Sequence, residues 1–237
     1  MSLPETAAPP GARLRRPSMV LMDLDGTLVD SVPDLAYCVD RLLERLGRAT
    51  AGEARVRHWV GNGVERLVKR ALTGELWTEP APEDYERALP IFLDLYAKNT
   101  STRSHLFAGA REALDFLSAA GFALGCVTNK AEAFTLPLLR DLGVLDFFAV
   151  VVSGDTLPEK KPDPRPLLFA AERLGADPHA ALMVGDSEHD VKAARSAGFQ
   201  IACVSYGYNH GNDIRDARPD AVIDSLAELR QLLEQAT

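Results

Sequence analysis

Strand-length apolar runs alternate with stretches of helical periodicity from about residue 103 to the C-terminus. The runs at 122–129 and 180–186 are examples, and an amphipathic stretch follows each of them. Strands that alternate with helices predict βαβ units and a parallel sheet with helices on both faces. The run at 18–25 has the same character, so we expect it to join this sheet.

The segment at 33–102 has no strand-like run and reads as helical throughout. Its last stretch is entered through Pro82 with acids in the first turn, and Gly61-Asn62-Gly63 splits two middle stretches. The economical model is an α/β fold in which an α-helical insertion interrupts a Rossmann-like parallel-sheet core. Such an insertion lies above the carboxyl ends of the strands, where ligands bind in open α/β sheets.

The pattern divides the chain into three parts. Residues 1–17 are rich in Pro and Ala and read as a flexible leader. Residues 18–32 and 103–237 form the predicted Rossmann-like catalytic core. Residues 33–102 form the predicted helical cap domain inserted into that core.

The chain of 237 residues has a net charge of −8, which argues against nucleic acid as a partner. No apolar run is long enough for a membrane span. The three cysteines form no C-x-x-C pair, which fits a reducing compartment, so we expect a cytoplasmic protein. Because the chain is acidic, a site for an anionic substrate must supply its own positive charge. The sequence does not decide between a monomer and a homodimer.

Polar residues follow the predicted core strands. Parallel strands bring these positions together along one edge of the sheet. Carboxylates gathered in this way must be paired, protonated or bound to a metal, and Mg²⁺ is the usual cation in phosphate chemistry. The residues concerned are Asp23, Asp25, Thr128, Asn129, Lys161, Asp186 and Asp190.

These residue types suit phosphoryl transfer. An aspartate can act as a nucleophile through an aspartyl-phosphate, and a neighbouring carboxyl can donate a proton to the leaving oxygen. Lys161 and Thr128 can neutralise and bind phosphate oxygens. Asp23 and Asp25 are two residues apart, so an extended chain would place both on one face, and Gly26 gives the backbone the freedom to turn directly after them.

Each residue also has a structural interpretation on its own. The two acids could form an Asx turn, Thr128 and Asn129 could cap a helix, and Lys161 could lie on the surface. Asp190 could be a first-turn acid that the helix dipole favours. The Gly61-Asn62-Gly63 segment could be an interhelical turn rather than a loop that faces the substrate.

Four motifs resemble those of the haloacid dehalogenase superfamily and fall in that family's order. They are "DLDGTLVDS" at 23–31, "VTN" at 127–129, the Lys161-Pro162 step and "GDSEHD" at 185–190. The helical insertion resembles a type-one cap. Three further segments, "VGNG", "SGDTLPEKKPDPRPLL" and "SYGYNHG", resemble the phosphoglycolate phosphatases of that superfamily.

The resemblance implies a role for each catalytic and metal-binding position. Asp23 would be the nucleophile and a Mg²⁺ ligand. Asp25 would be the general acid/base, with its backbone carbonyl also on the metal. Asp186 would be the remaining direct ligand, and Lys161 would neutralise the nucleophile and the phosphate. Asp190 would hold a metal-bound water or Lys161.

The resemblance also implies a set of substrate contacts. Thr128 and Asn129 would hold the transferring phosphoryl group. Gly26 would bind the substrate beside them, and Asn62 would face the substrate from the cap. One departure from the family pattern is His189, where relatives often carry Asn.

The implied activity is a Mg²⁺-dependent phosphatase that hydrolyses small phosphate monoesters through a phosphoaspartyl intermediate. Its partner would be a small phosphorylated metabolite, with 2-phosphoglycolate expected to give glycolate and phosphate. The core motifs leave open a β-phosphoglucomutase-like phosphomutase, a pyrophosphatase and a sugar- or amino-sugar-phosphate phosphatase of the same superfamily. A binding protein without catalysis is a further alternative, although every catalytic position is filled.

Overall fold

The computed structural model describes residues 14–77 and 81–236. Most of the predicted leader, residues 1–13, lies outside the described residues. Leu14 is buried against the core, and Arg15 exchanges two hydrogen bonds with the side chain of Gln200, at 2.6 and 2.9 Å. The chain is therefore packed on the core from Leu14 onward, four residues before the predicted boundary.

The strands and helices follow one another in the alternating order that the sequence predicts. The strands are β1 (Met19–Met22), β2 (Val29–Asp30), β3 (His105–Leu106), β4 (Ala123–Val127), β5 (Val150–Val152), β6 (Ala181–Gly185), β7 (Gln200–Val204) and β8 (Ala221–Ile223). The helices are α1 (Val32–Arg45), α2 (Glu53–Trp59), α3 (Val64–Thr73), α4 (Tyr85–Ala97), α5 (Ala110–Ala119), α6 (Glu132–Asp141), α7 (Arg165–Leu174), α8 (Glu188–Ala197) and α9 (Leu229–Glu234).

The core is a parallel sheet with the strand order β5-β4-β1-β6-β7-β8. Both faces of β1 are buried, because Met19 and Leu21 pack with α7 and α8 whereas Val20 and Met22 pack with α5 and α9. The predicted α/β class with a parallel, Rossmann-like sheet is thus confirmed. Because the strand order departs from β1 in both directions, the carboxyl end of β1 is the place where a ligand is expected.

The helices α1–α4 lie between β2 and β3 along the chain, and we call them the cap helices. They bury an apolar cluster of their own, which includes Leu42, Trp59 and Phe92. The exact division of the chain at 33 and 102 stays a prediction. The last helix of this segment differs from the prediction, because α4 begins at Tyr85 rather than beside Pro82. Asp84 has a φ of +68°, so the chain makes a turn before the helix starts.

A short antiparallel ribbon was not foreseen. Val29 pairs with Leu106 and Asp30 pairs with His105, at the point where the chain leaves the core and returns to it. Two residues per strand are too few to give a periodic signal in the sequence. Within residues 14–77 and 81–236, none of the helices combines the length and the apolar character that a membrane span needs.

Candidate active site

The turn after β1 places two aspartates in one pocket between the sheet edge and the cap helices. Asp23 and Asp25 both line this pocket. Gly26 has a φ of +89°, and its N–H donates to the carbonyl of Val29 at 3.0 Å. A left-handed conformation of this kind favours glycine. The turn therefore has the form that the sequence predicts for Gly26.

Lys161 connects two of the acids. Its Nζ lies 2.8 Å from Asp23 Oδ1 and 2.7 Å from Asp190 Oδ1, and it also donates to the carbonyl of Val127 at 2.8 Å. Burial alone would lower the pKa of Lys161, but the carboxylates of Asp190 and Asp23 raise it above its ordinary value. Lys161 is therefore a buried ammonium beside the predicted nucleophile.

Lys130 occupies the corresponding place beside Asp25, and the sequence analysis did not single it out. Its Nζ lies 3.0 and 3.1 Å from the two carboxylate oxygens of Asp25. It also donates to the hydroxyl of Tyr96, which projects from α4. A lysine is by default a solvated surface residue. The available signal was its position directly after Thr128 and Asn129, at the end of β4.

Asp186 is held from two sides. It accepts hydrogen bonds from Thr27 Oγ1 at 2.9 Å and from the backbone N–H of Tyr208. Its carboxylate lies in a cluster with Asp23 and Asp190, in which one oxygen of each residue falls within 4.8 Å of the others. These three acids are brought together as the sequence predicts.

The cluster carries more negative charge than the protein compensates. Burial raises the pKa of Asp23 to about 7 even though Lys161 is adjacent. Burial and the carboxylates of Asp23 and Asp190 raise the pKa of Asp186 well above its ordinary value. When ionised, the four predicted aspartates carry four negative charges, whereas Lys130 and Lys161 supply two positive ones. A divalent cation with oxygen ligands would balance the remainder.

The acids of the cluster differ in how far their oxygens are engaged. Asp190 Oδ1 bonds to Lys161, and its Oδ2 accepts from the hydroxyl and N–H of Ser187 at 2.7 and 3.1 Å. Asp190 thus uses both of its oxygens to hold Lys161 and Ser187. Asp23 pairs with Lys161 through Oδ1, and Asp186 accepts one hydrogen bond on each oxygen, so both keep more lone pairs for a cation than Asp190 does. Their residue types fit a hard metal such as Mg²⁺.

The segment after β4 holds Lys161 in place. Asn129 accepts from the N–H of Lys161 at 3.0 Å through Oδ1 and donates to its carbonyl at 2.9 Å through Nδ2. Thr128 lines the pocket, and its hydroxyl accepts from the N–H of Lys130 at 3.2 Å. The Asn129 amide therefore holds both backbone groups of Lys161, and Nδ2 keeps a second N–H that a phosphoryl oxygen can accept from.

The loop between α2 and α3 faces these residues across the pocket. Gly61, Asn62 and Gly63 all line it, and Asn62 has a φ of +68°. Asn62 Nδ2 contacts His189 Nε2 at 2.9 Å, which joins the cap helices to the segment that carries Asp186. The predicted cap-loop residue therefore lies at the pocket, opposite the acids.

Arg70 supports this loop and was also missed by the sequence analysis. It is buried and donates to the carbonyls of Trp59 and Gly61 and, at 3.1 Å, to Asn62 Oδ1. Since a guanidinium can only donate, it fixes the Asn62 amide with Nδ2 toward His189. The signal in the sequence is its place on α3, about two helical turns after the loop.

Known proteins are similar to this chain over most of its length. A family model described as haloacid dehalogenase-like hydrolase matches residues 20–204. A protein named phosphoglycolate phosphatase from Nitrosococcus oceani is 61% identical over 223 residues, which cover 94% of this chain and 99% of the relative. Another from Nitrosospira multiformis is 49% identical over 218 residues, or 92% of this chain and 96% of the relative.

The fold has close counterparts among solved structures. One crystal structure, described as a predicted phosphoglycolate phosphatase from Haemophilus somnus, superposes with a TM-score of 0.84 at 33% sequence identity. The superposition covers 92% of this chain and 98% of the other. The family match spans most of the chain, and the relatives are similar over nearly their whole length. This chain therefore belongs to the haloacid dehalogenase-like hydrolase family.

Proposed function

We propose that the protein is a Mg²⁺-dependent phosphatase whose substrate is 2-phosphoglycolate. The observation that carries the proposal is the buried Asp23 carboxylate, which is paired with Lys161 and adjacent to Asp186 at the carboxyl end of β1. The choice of substrate draws support from relatives named phosphoglycolate phosphatase at 61% and 49% identity. We also propose that the protein is cytoplasmic, because its three cysteines are buried and carry free thiols.

Asp23 is the proposed nucleophile. One of its carboxylate oxygens attacks phosphorus while the bond from phosphorus to the ester oxygen breaks, and Asp25 donates a proton to that oxygen. Lys161 neutralises charge on the nucleophile and on the phosphoryl group. Glycolate then leaves, and the phosphoryl group remains on Asp23.

The second step uses the same residues. Asp25, now a carboxylate, takes a proton from a water molecule whose oxygen attacks phosphorus. The bond between phosphorus and Asp23 breaks, which releases phosphate and restores the starting carboxylate. Mg²⁺, held by Asp23, Asp186 and the backbone carbonyl of Asp25, would neutralise charge on the phosphoryl oxygens and orient them.

The proposed substrate contacts come from both sides of the pocket. On the core side, Gly26, Thr128 and Asn129 face the phosphoryl group. On the other side, Asn62 faces the remainder of the substrate from the cap loop. The cap domain at 33–102 would cover a small substrate, exclude bulk water and open for release.

The proposal is tested by phosphate release, measured with and without Mg²⁺. The substrates are 2-phosphoglycolate, pyrophosphate, β-glucose 1-phosphate and a set of sugar and amino-sugar phosphates. A strong Mg²⁺-dependent preference for 2-phosphoglycolate is the expected result. Faster turnover of pyrophosphate or of a sugar phosphate would contradict 2-phosphoglycolate as the substrate. Isomerisation of glucose phosphate without phosphate release would show that the protein is a phosphomutase rather than a phosphatase.

A further inference from the structure

Lys130 lies between the general acid/base and the cap helices. Its side chain is only 4% exposed, and its Nζ contacts both oxygens of Asp25 and the hydroxyl of Tyr96. Tyr96 belongs to α4, so a single ammonium joins a residue of the core turn to a cap helix. None of the steps proposed above gives Lys130 a task.

Tyr96 is a rigid partner for this lysine. Its ring is buried between those of Phe92 and Phe134, at centroid distances of 5.6 and 4.8 Å. The Lys130 ammonium also lies 4.9 Å from the centroid of the Tyr96 ring, within the range of a cation–π contact. The position of Lys130 is thus determined from the cap side as well as from β4.

We propose that Lys130 is a positioning residue that, anchored by Tyr96 on the cap, holds the Asp25 carboxyl in the orientation required for proton transfer. The inference rests on the proposed function, because it concerns the acid/base of that reaction. A carboxyl that projects into a pocket can rotate about its side-chain bonds. One cation in contact with both oxygens removes that freedom, and its own anchor in α4 makes the orientation depend on the cap.

The charges of the two partners agree with this role. Burial alone would lower the pKa of Lys130, but Asp25 and Tyr96 raise it above its ordinary value. Burial raises the pKa of Tyr96, so its hydroxyl keeps its proton. The role proposed for Lys130 rests on its contacts with both Asp25 oxygens and with the Tyr96 hydroxyl, through which it sets the position of Asp25.

The consequence is a specific dependence on the leaving group. In the first step the ester oxygen departs with the bonding electron pair, and the proton of Asp25 neutralises it as the bond from Asp23 to phosphorus forms. A basic leaving group needs that proton, whereas a weakly basic one departs without it. Loss of the correct Asp25 orientation should therefore slow the reaction most for the most basic leaving groups.

The test is Lys130→Met, assayed for kcat/KM with Mg²⁺ on a series of substituted phenyl phosphates. Because kcat/KM reports only the steps up to leaving-group departure, it isolates the first step. We expect a loss of about 100-fold on phenyl phosphate but under about 5-fold on p-nitrophenyl phosphate, in line with the usual size of general acid catalysis. Lys130→Arg should restore the weak dependence of the wild-type protein.

Two further variants complete the experiment. Tyr96→Phe removes only the hydroxyl anchor and should steepen the leaving-group dependence in the same direction by a smaller factor. Lys98→Met is the matched control, since Lys98 lies just after α4, is exposed and pairs with Asp94. It should leave the series unchanged. If Lys130→Met does not fold, Tyr96→Phe carries the test.

The outcomes separate the inference from the function on which it rests. An equal loss across the whole series, or an unchanged slope in both variants, would overturn the role of Lys130 while the wild-type activity stands. A wild-type protein that hydrolyses neither 2-phosphoglycolate nor any aryl phosphate would instead remove the proposed function, and the inference with it.

Discussion

At the scale of single residues, the site is built from pairs of opposite charge. Lys161 is paired with Asp23, and Lys130 is paired with Asp25. The acids and Lys161 could be predicted, because each follows a strand within a short motif. Lys130 and Arg70 were missed: a cation is by default assigned to the surface, and the positional signals for these two do not name Asp25 or Asn62 as their partners.

Gly26 leaves the space that the Asp186 carboxylate occupies in the proposed metal site. A Cβ at this position would lie 2.3 Å from Asp186 Oδ2, and the φ of +89° would be strained in any other residue. We expect Gly26→Ala to displace the Asp186 carboxylate and to weaken Mg²⁺ binding by about tenfold or more. The measurement is the Mg²⁺ concentration that gives half-maximal activity.

Gly47 provides a control for backbone strain. It has a φ of +70°, but a Cβ there would meet nothing within 4 Å. Gly47→Ala should cost stability with an unchanged requirement for Mg²⁺. Equal requirements in the two variants would show that Gly26 does not shape the metal site.

The acid cluster predicts how pH affects stabilisation by the metal. The pKa of Asp23 is raised from 3.8 to about 7, and that of Asp186 is also raised. Without metal, the folded state therefore holds protons that the unfolded state has lost, and this contribution to stability disappears as pH rises from about 4 through 7. Mg²⁺ competes with these protons, so it should stabilise the protein more at pH 8 than at pH 5.5.

This prediction is measured as the difference in unfolding temperature with and without Mg²⁺ after treatment with a chelator. Burial also lowers the pKa values of His189 and His210. These histidines titrate in both samples, so their effect on stability cancels when the two unfolding temperatures are subtracted. An equal Mg²⁺-induced shift at the two pH values would contradict the account of the cluster.

At the scale of elements, the order of strands and helices could be predicted from periodicity alone. The ribbon β2–β3 could not, because its pairing is too short to leave a pattern. The Gly61-Asn62-Gly63 loop could be located, but its support could not. That support is Arg70, whose hydrogen bonds to Gly61 and Asn62 fix the position of this glycine-rich segment at the pocket.

Arg70→Met tests this support. The variant removes the donors to buried carbonyls, which should lower the free energy of unfolding by about 2–4 kcal/mol. Because Asn62 loses its orientation, KM for 2-phosphoglycolate should rise more than kcat falls. Denaturant unfolding and steady-state kinetics give the two values. Arg55→Met is the control, since Arg55 is exposed on α2 and should change neither. A variant with normal KM would contradict the role assigned to the loop.

At the scale of the whole molecule, several polar contacts join the cap helices to the core. Asn62 contacts His189, and Arg57 of α2 pairs with Asp30, which also accepts a hydrogen bond from Tyr208. Tyr208 in turn holds Asp186 through its backbone N–H. None of these contacts is visible in the sequence, because each joins residues from different motifs.

A double-mutant cycle on Asn62→Ala and His189→Ala tests whether the contact forms during catalysis. Residues in direct contact are expected to be coupled by about 1 kcal/mol, or roughly fivefold in kcat/KM for 2-phosphoglycolate. The matched control cycle combines Asn62→Ala with Lys192→Ala instead of His189→Ala. Lys192 is an exposed residue of α8 that pairs with Glu188. That pair should be additive. Additivity in both cycles would mean that the cap and core do not meet through Asn62.

The most direct test of the central claim is to locate the phosphoryl group on the enzyme during turnover. The protein is mixed with 2-phosphoglycolate and Mg²⁺, quenched in acid and analysed by peptide mass spectrometry. The account predicts a phosphorylated peptide modified at Asp23, and an Asp23→Asn variant that folds normally but has lost both turnover and the modification. Turnover with no label on Asp23, or near wild-type activity in Asp23→Asn, would contradict it.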